Sequence, residues 1–227
     1  MTGSLLSFCV VALSIRGLQD KLTLFEILSL RNIGGLIILA LMRLLAPSPD
    51  QQLQPDRFGL HVLRNVFHSI GQSLWAWGVI VLPLGTVFAI EFTTPVWVAL
   101  FAVLFLGEKM TISRALALAA GLVGVLVILR PGLEGFRIEA LAVVAAAIGF
   151  GVQIVTTKAL TTTNSTFTIL FWMNLMQLPM NLGANAVLGH SPLFMAKIDW
   201  SMWLPVIGIA VSGFTAHYCL TNAFRHG

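Results

Sequence analysis

The run from Leu84 to Leu106 limits the possible folds more than any other stretch of the chain. Its 23 residues are almost all apolar. At ~1.5 Å per residue a helix of that length reaches roughly 34 Å, enough to cross a hydrocarbon core about 30 Å thick. Two residues inside it are costly in lipid. Glu91 places a carboxyl about two turns in, and Pro95 lacks the N–H that would bond the carbonyl of Glu91. A helix that merely fills a membrane tolerates neither unless water or a neighbouring helix satisfies them. Gly107-Glu108-Lys109 ends the run, Thr111 or Ser113 is placed to cap the next helix, and Ala115 to Leu129 returns.

Comparable runs recur every ~25 to 30 residues, a spacing that predicts membrane helices rather than the shorter, alternating strands of a barrel. They are Leu5–Leu18, Leu24–Leu45, Leu60–Leu82, Leu84–Leu106, Ala115–Leu129, a sixth ending near Thr157, Phe167–Leu188 and Met202–Phe224. Charged residues are 10% of the chain and hydrophobic ones 57%, against roughly 25% charged in a soluble domain. The net charge of +4 is spread over the ends of these runs, where basic side chains anchor and orient helices, so it does not predict a nucleic-acid partner. Cys9 and Cys219 both fall inside predicted spans, which argues against a disulfide framework. The first run is short and has no basic stretch or cleavage site before it. No cleavable signal peptide is expected, and residues preceding Met1 are expected to be missing.

Sliding the chain on itself by 142 residues pairs Arg16 with Lys158, Phe25 with Phe167, Ile27 with Ile169, Asn32 with Asn174, Gly71 with Gly213 and Gly85 with Gly227. Three spans superimpose without a gap. Five spans separate each helix from its counterpart, an odd number, so the copies are expected to lie inverted in the membrane. Counterparts of Leu84 to Gly132 would fall at positions 226 to 274, so the second copy is expected to be incomplete.

The ordered set of Pro95 in mid-helix, the Leu-Phe-Leu-Gly-Glu helix end at Leu104 to Glu108, and the Gly-rich helix closing in Leu129-Arg130-Pro131-Gly132 resembles the EamA-type repeat of the drug/metabolite transporter superfamily. The resemblance implies a carrier of small organic solutes built from two inverted five-helix repeats. Residues 1–132 would form the first repeat with five spans, and residues 138–227 the second with three. The expected fold is therefore an all-α integral membrane bundle of about eight transmembrane helices. The expected mechanism is alternating access about a central site between the repeats.

Glu91 is the sharpest candidate for solute binding or proton coupling, because a carboxylate near a helix centre costs about 2.5–3.5 kcal/mol on insertion scales. Its competing role is to partner a basic side chain such as Arg31 or Arg64. Gln72 and Trp75 in the third span, with Thr94 beside Glu91, combine an aromatic wall with a few polar groups, as a small-solute pocket requires. Trp77 faces another side of the same helix. Gln153, His217, Tyr218 and Asn222 are the comparable residues of the second copy, and His217 occupies the repeat position of Trp75.

Pro95 and Glu108 read as helix-breaking and helix-end residues, respectively. Small residues at Ala145/Gly149, Ala147/Gly151, Ala117/Gly121 and Ala120/Gly124 predict helix packing. Arg31 and Glu26 are expected to snorkel from a helix end, and His61 and Arg64 to anchor at the interface. His61, Arg64 and His68 share a helix face, but no HExxH or paired-Cys spacing accompanies them, so neither a metal nor a cofactor is expected.

The spans carry no cluster of His, Asp, Glu, Ser or Cys at one depth, which argues against a membrane-embedded enzyme and against catalytic residues. The other rival is a non-transporting fragment or subunit that needs the missing helices or a partner half. Expected partners are the lipid bilayer and a small-molecule solute, with protons and a second copy of the chain as further candidates. The distribution of Lys and Arg predicts a cytoplasmic N-terminus in the inner membrane, with Gln51 to Arg57 also cytoplasmic.

Overall fold

The computed structural model describes residues 2–129, 138–191 and 193–226. All regular structure among these residues is helical: α1 Thr2–Leu18, α2 Leu24–Leu45, α3 Phe58–Val81, α4 Leu84–Glu91, α5 Thr94–Leu106, α6 Ile112–Leu129, α7 Glu139–Leu160, α8 Thr166–Val187 and α9 Trp203–His226. Two 3-10 turns, Phe194–Lys197 and Trp200–Met202, lead into α9. The Arg130-Pro131-Gly132 helix end and Arg137 lie outside the described residues.

Helices α4 and α5 are two halves of one span. The sequence suggested a helix interrupted at Pro95; the structure instead ends α4 at Glu91, and Pro95 falls in the first turn of α5. A proline ring within a continuous helix would press on the carbonyl four residues back, that of Glu91, whereas in a first turn its missing N–H is no loss. Leu24–Leu45, Leu84–Leu106, Glu139–Leu160 and Trp200–Arg225 are long and apolar enough to cross a membrane by length and composition. Helix α3 is as long, with 24 residues, but it carries His61, Arg64, Asn65, His68 and Gln72.

Burial runs opposite to that of a water-soluble domain. Glu26, Asn32 and Arg64 are 0% exposed, while Leu44 is 76% and Phe105 69% exposed. Water would reward the reverse arrangement; lipid rewards this one, because only the interior can satisfy polar side chains. The chain is an all-α membrane bundle.

Capping residues set where two of the helices begin. The Thr23 hydroxyl accepts the N–H of Glu26 at 3.3 Å, and the Thr23 N–H donates to the Glu26 carboxylate at 2.9 Å, a complete capping box for α2. Ser165 stands 142 residues later and caps α8, its hydroxyl accepting the N–H of Thr168 at 3.1 Å. Helix α5 closes on Gly107, whose φ of 67° is left-handed, and the N–H of Glu108 reaches back to the carbonyl of Ala102 at 3.2 Å. The Gly-Glu helix end is thus a backbone device that satisfies a terminal carbonyl.

Two compact units are present, Met1–Asn65 with Thr157–Gly227, and Val66–Thr156. Each draws helices from both halves of the sequence, and the cuts fall within α3 and α7. In the first unit α1 packs on α9, and α2 on α8 and α9. A Cβ on Gly34 would collide with Ala210, so α2 and α9 approach as closely as their backbones allow. In the second unit α3 meets α7, where a Cβ on Gly149 would come within 3.0 Å of the carbonyl oxygen of Phe67. Gly151 is likewise tight, against Trp97. Gly121 and Gly124 on α6 differ from their expected packing role, since among the described residues nothing lies within 4 Å of a Cβ at either position. The chief neighbour of α6 among the described residues is α4, and those two glycines do not face it closely.

Candidate functional site

In the second unit α3 and the α4–α5 break bring candidate residues together. Trp75 is buried, and its indole Nε1 donates to Glu91 Oε2 at 2.8 Å. Its ring also meets Phe88, one turn before Glu91, edge-on at 6.3 Å. The carboxylate is thus held by a neutral indole rather than by a basic side chain. Gln72 lies one turn before Trp75 and is buried on the same face of α3, whereas Trp77 turns outward at 40% exposure.

The break supplies further polar groups. Thr93 donates its hydroxyl to the Ile90 carbonyl at 2.7 Å, and its N–H bonds the same oxygen at 2.9 Å. Thr94 is buried, and its Oγ1 has no hydrogen-bond partner among the described residues. Trp97 is one turn further along α5, and its indole Nε1 is also buried without a partner. Sequence reasoning missed Trp97; the available signal was its spacing of three from Thr94. A buried donor or acceptor left unmade costs about 1–3 kcal/mol. These two groups lie on one face of α5, three and six residues on from Glu91. Gln153 is buried on α7 within this unit.

The remaining candidates belong to the first unit. His217 is buried on α9 and meets Phe8 edge-on at 6.2 Å. Asn222 accepts the Thr166 hydroxyl at 2.8 Å, a bond that ties α9 to the start of α8. Tyr218 is 37% exposed and stacks on Phe214 at 5.7 Å.

The largest difference from the sequence reading concerns the basic residues. Arg31, His61 and Arg64 do not snorkel to an interface; all three are buried. Arg64 Nε donates to the Thr157 hydroxyl at 2.8 Å, and Nη1 to the side-chain amide oxygen of Asn65 at 3.2 Å. Gln177 Nε2 donates to that same Asn65 oxygen at 3.0 Å. Glu26 is buried too, and pairs with Lys197 at 2.7 Å. Snorkelling was expected from nearness to helix ends, but neighbouring helices cover these positions. On α3 the buried set His61, Arg64, His68, Gln72 and Trp75 forms one polar stripe at helical spacing.

A broken apolar span, a polar interior and an apolar exterior together define a helical membrane protein. The EamA-like transporter family matches residues 1–130, and the chain belongs to that family. The riboflavin transporter of Brucella anthropi is 30% identical over 181 residues, covering 80% of this chain and 64% of that protein. The riboflavin transporter of Vibrio cholerae is 28% identical, covering 77% and 57%. The S-adenosylmethionine uptake transporter of Rickettsia bellii is 31% identical over 120 residues, covering 53% and 41%. The chain therefore spans less than two thirds of the length of these relatives. A solved crystal structure matches all of this chain and 80% of its own with a TM-score of 0.67 at 18% identity, which shows a shared fold.

Proposed function

We propose that this chain acts in a carrier that moves a small organic metabolite across the inner membrane by alternating access, with Glu91, Trp75, Gln72 and Thr94 on the solute pathway. One observation carries the reading: the 2.8 Å bond from the Trp75 indole to Glu91 falls at the break in the span, and the Thr94 hydroxyl and Trp97 indole, three and six residues further along it, have no partner among the described residues. Broken helices in carriers expose backbone and side-chain polar groups at membrane depth, where a solute can complete them. An inverted repeat is proposed with it, supported by the N-caps at Thr23 and Ser165 and by the pairing of α1 with α9 and α3 with α7. The same offset of 142 carries α1 onto α7 and α3 onto α9.

Riboflavin and S-adenosylmethionine, named for the relatives, are the first solutes to test. Both contain a planar heteroaromatic ring of the kind that Trp75, Phe88 and Trp97 could stack against. The experiment is uptake of each labelled compound into proteoliposomes containing the chain, with competition by unlabelled compound. Saturable uptake that falls with Trp75→Ala supports the proposal. Absence of saturable uptake and of binding for both compounds overturns this choice of solutes. Flux of any solute that ignores changes at both Trp75 and Glu91 overturns the pathway.

A further inference from the structure

We propose that Leu193 to Trp203, the stretch that leads into α9, is an interfacial arm lying in the headgroup–acyl boundary of a zwitterionic bilayer. Its apolar side chains enter the lipid, while its charged side chains are held by the protein. No solute takes part, so the arm stands apart from the carrier reading. It belongs wholly to the first unit.

The arm sorts its side chains three ways. Phe194 and Met202 are buried and hold it to the bundle near both ends. Lys197 reaches Glu26 Oε1 at 2.7 Å, and Asp199 pairs with Lys21. Asp199 also accepts the N–H of Ser201 at 2.9 Å, which caps the second 3-10 turn. Lys21 lies in the turn between α1 and α2, and Glu26 in the first turn of α2, so both ties run to the start of α2. Apart from those ion pairs and Ser201, the exposed surface of the arm is apolar: Leu193, Met195, Ala196, Trp200 and Trp203, with Trp200 at 89% exposure. Large apolar side chains gathered on a surface mark a place where something other than water covers them.

Position identifies lipid as the cover. Leu204, Ile207 and Val211 follow directly on α9 and are exposed at helical spacing, so the apolar surface of the arm runs on into the lipid-facing side of a spanning helix. The depth is bracketed by two candidate spans. That of α9 begins at Trp200, and that of α2 begins at Leu24, just past the tied turn. Both put the arm at the edge of the hydrocarbon. Its backbone suits that depth: short 3-10 turns leave N–H groups that a hydrocarbon core cannot satisfy and interfacial water can. Tryptophan favours the same layer, where its ring meets lipid and its N–H meets water. Charge plays no part in the attraction, because each lysine of the two ties is matched by an acid.

The test uses the 227-residue chain in phosphatidylcholine nanodiscs, with Cys9 and Cys219 replaced by Ser. A nitroxide is attached at one new cysteine, Leu193→Cys or Trp200→Cys. Gln52→Cys, in the polar loop at the other end of α2, serves as the water-facing reference. Power saturation then compares collisions with oxygen, which concentrates in lipid, and with a water-soluble nickel chelate. The expected result is an oxygen-to-nickel ratio at both arm positions several-fold above that at Gln52. Both side chains are exposed, so their replacement leaves the packed interior intact, and an unchanged Tm checks this. Adding phosphatidylglycerol to the discs should leave the ratios as they are.

A ratio like that of Gln52 at either arm position puts the arm in water and overturns the proposal. Shielding from both reagents means that protein, a second copy or another chain, covers the surface, and the lipid assignment fails. A high ratio that appears only with phosphatidylglycerol overturns it as well, since attraction by charge would then replace burial of apolar surface.

Discussion

Replacing Glu91 with Gln separates a pathway carboxyl from a structural one. The indole of Trp75 donates to Glu91 Oε2 at 2.8 Å, and Gln offers an oxygen in the same place. What changes is the charge assistance. A bond to an ionised group contributes about 1.5–3 kcal/mol and a neutral one about 1 kcal/mol, so E91Q should lower stability by no more than about 2 kcal/mol. Trp75→Phe is the complementary change. It keeps a ring against Phe88, now 6.3 Å from the Trp75 ring, but it strands a buried oxygen at a cost of about 1–3 kcal/mol. The two substitutions should couple by about 0.5–3 kcal/mol in a double-mutant cycle measured by denaturant unfolding in micelles. Proteoliposome uptake is then compared across the pH range in which carboxyl groups titrate. The expected outcome is that E91Q folds normally yet loses uptake, or loses its dependence on pH. Wild-type uptake and an unchanged pH profile in a folded E91Q protein would refute the pathway role and leave Glu91 as a partner for Trp75 alone.

Four further outcomes are expected. Gly149→Leu should lower Tm, because its Cβ would press at 3.0 Å on the backbone oxygen of Phe67, at a cost of about 1–3 kcal/mol; Gly121→Leu, with nothing within 4 Å, should leave Tm unchanged. Glu26→Ala removes the α2 cap and strands Lys197, and should cost about 1–3 kcal/mol, the loss of a cap plus part of an ion pair that is 42% exposed on the lysine side; a loss below the scale of a cap would refute its double role. A cysteine at Gln52, which is exposed in the loop before α3, should resist an impermeant thiol reagent in intact cells when Cys9 and Cys219 are replaced by Ser; rapid labelling would reverse the orientation. Asp199, bonded first of all by Lys21 and then by Ser201, has its carboxyl lowered from 3.8 to about 2, so its contribution is present above pH 3.8 and lost as pH falls toward 2; Asp199→Asn should flatten that part of the stability curve and leave neutral pH nearly unchanged.

Membrane helices were legible in the sequence because their signal is local. A run long enough to span lipid, bounded by Gly, Pro and charged residues, commits its backbone to a helix wherever it sits, since lipid cannot hydrogen-bond it. Helix α2 was read as Leu24–Leu45 and is Leu24–Leu45, and its Thr-x-x-Glu start is a cap that the four residues themselves complete. Family membership was legible for a similar reason: the proline at the broken span and the Gly-Glu helix end are backbone devices, tied to residue types at fixed spacing.

Tertiary structure decided which side chains share an environment. Local sequence placed Arg31, His61 and Arg64 near helix ends, where snorkelling is open to them; α9 against Arg31, and Thr157 of α7 with Met173 of α8 against Arg64, are contacts that local sequence does not reveal. The indole that holds Glu91 comes from the preceding helix, 16 residues away, at a distance no periodicity could set. Asn32 reads as one amide in an apolar span, and only the packed helices reveal that it is fully buried with no hydrogen-bond partner among the described residues. Whether a helix forms depends on its own residues and the solvent around it, whereas the company of a side chain depends on the face that a distant helix covers.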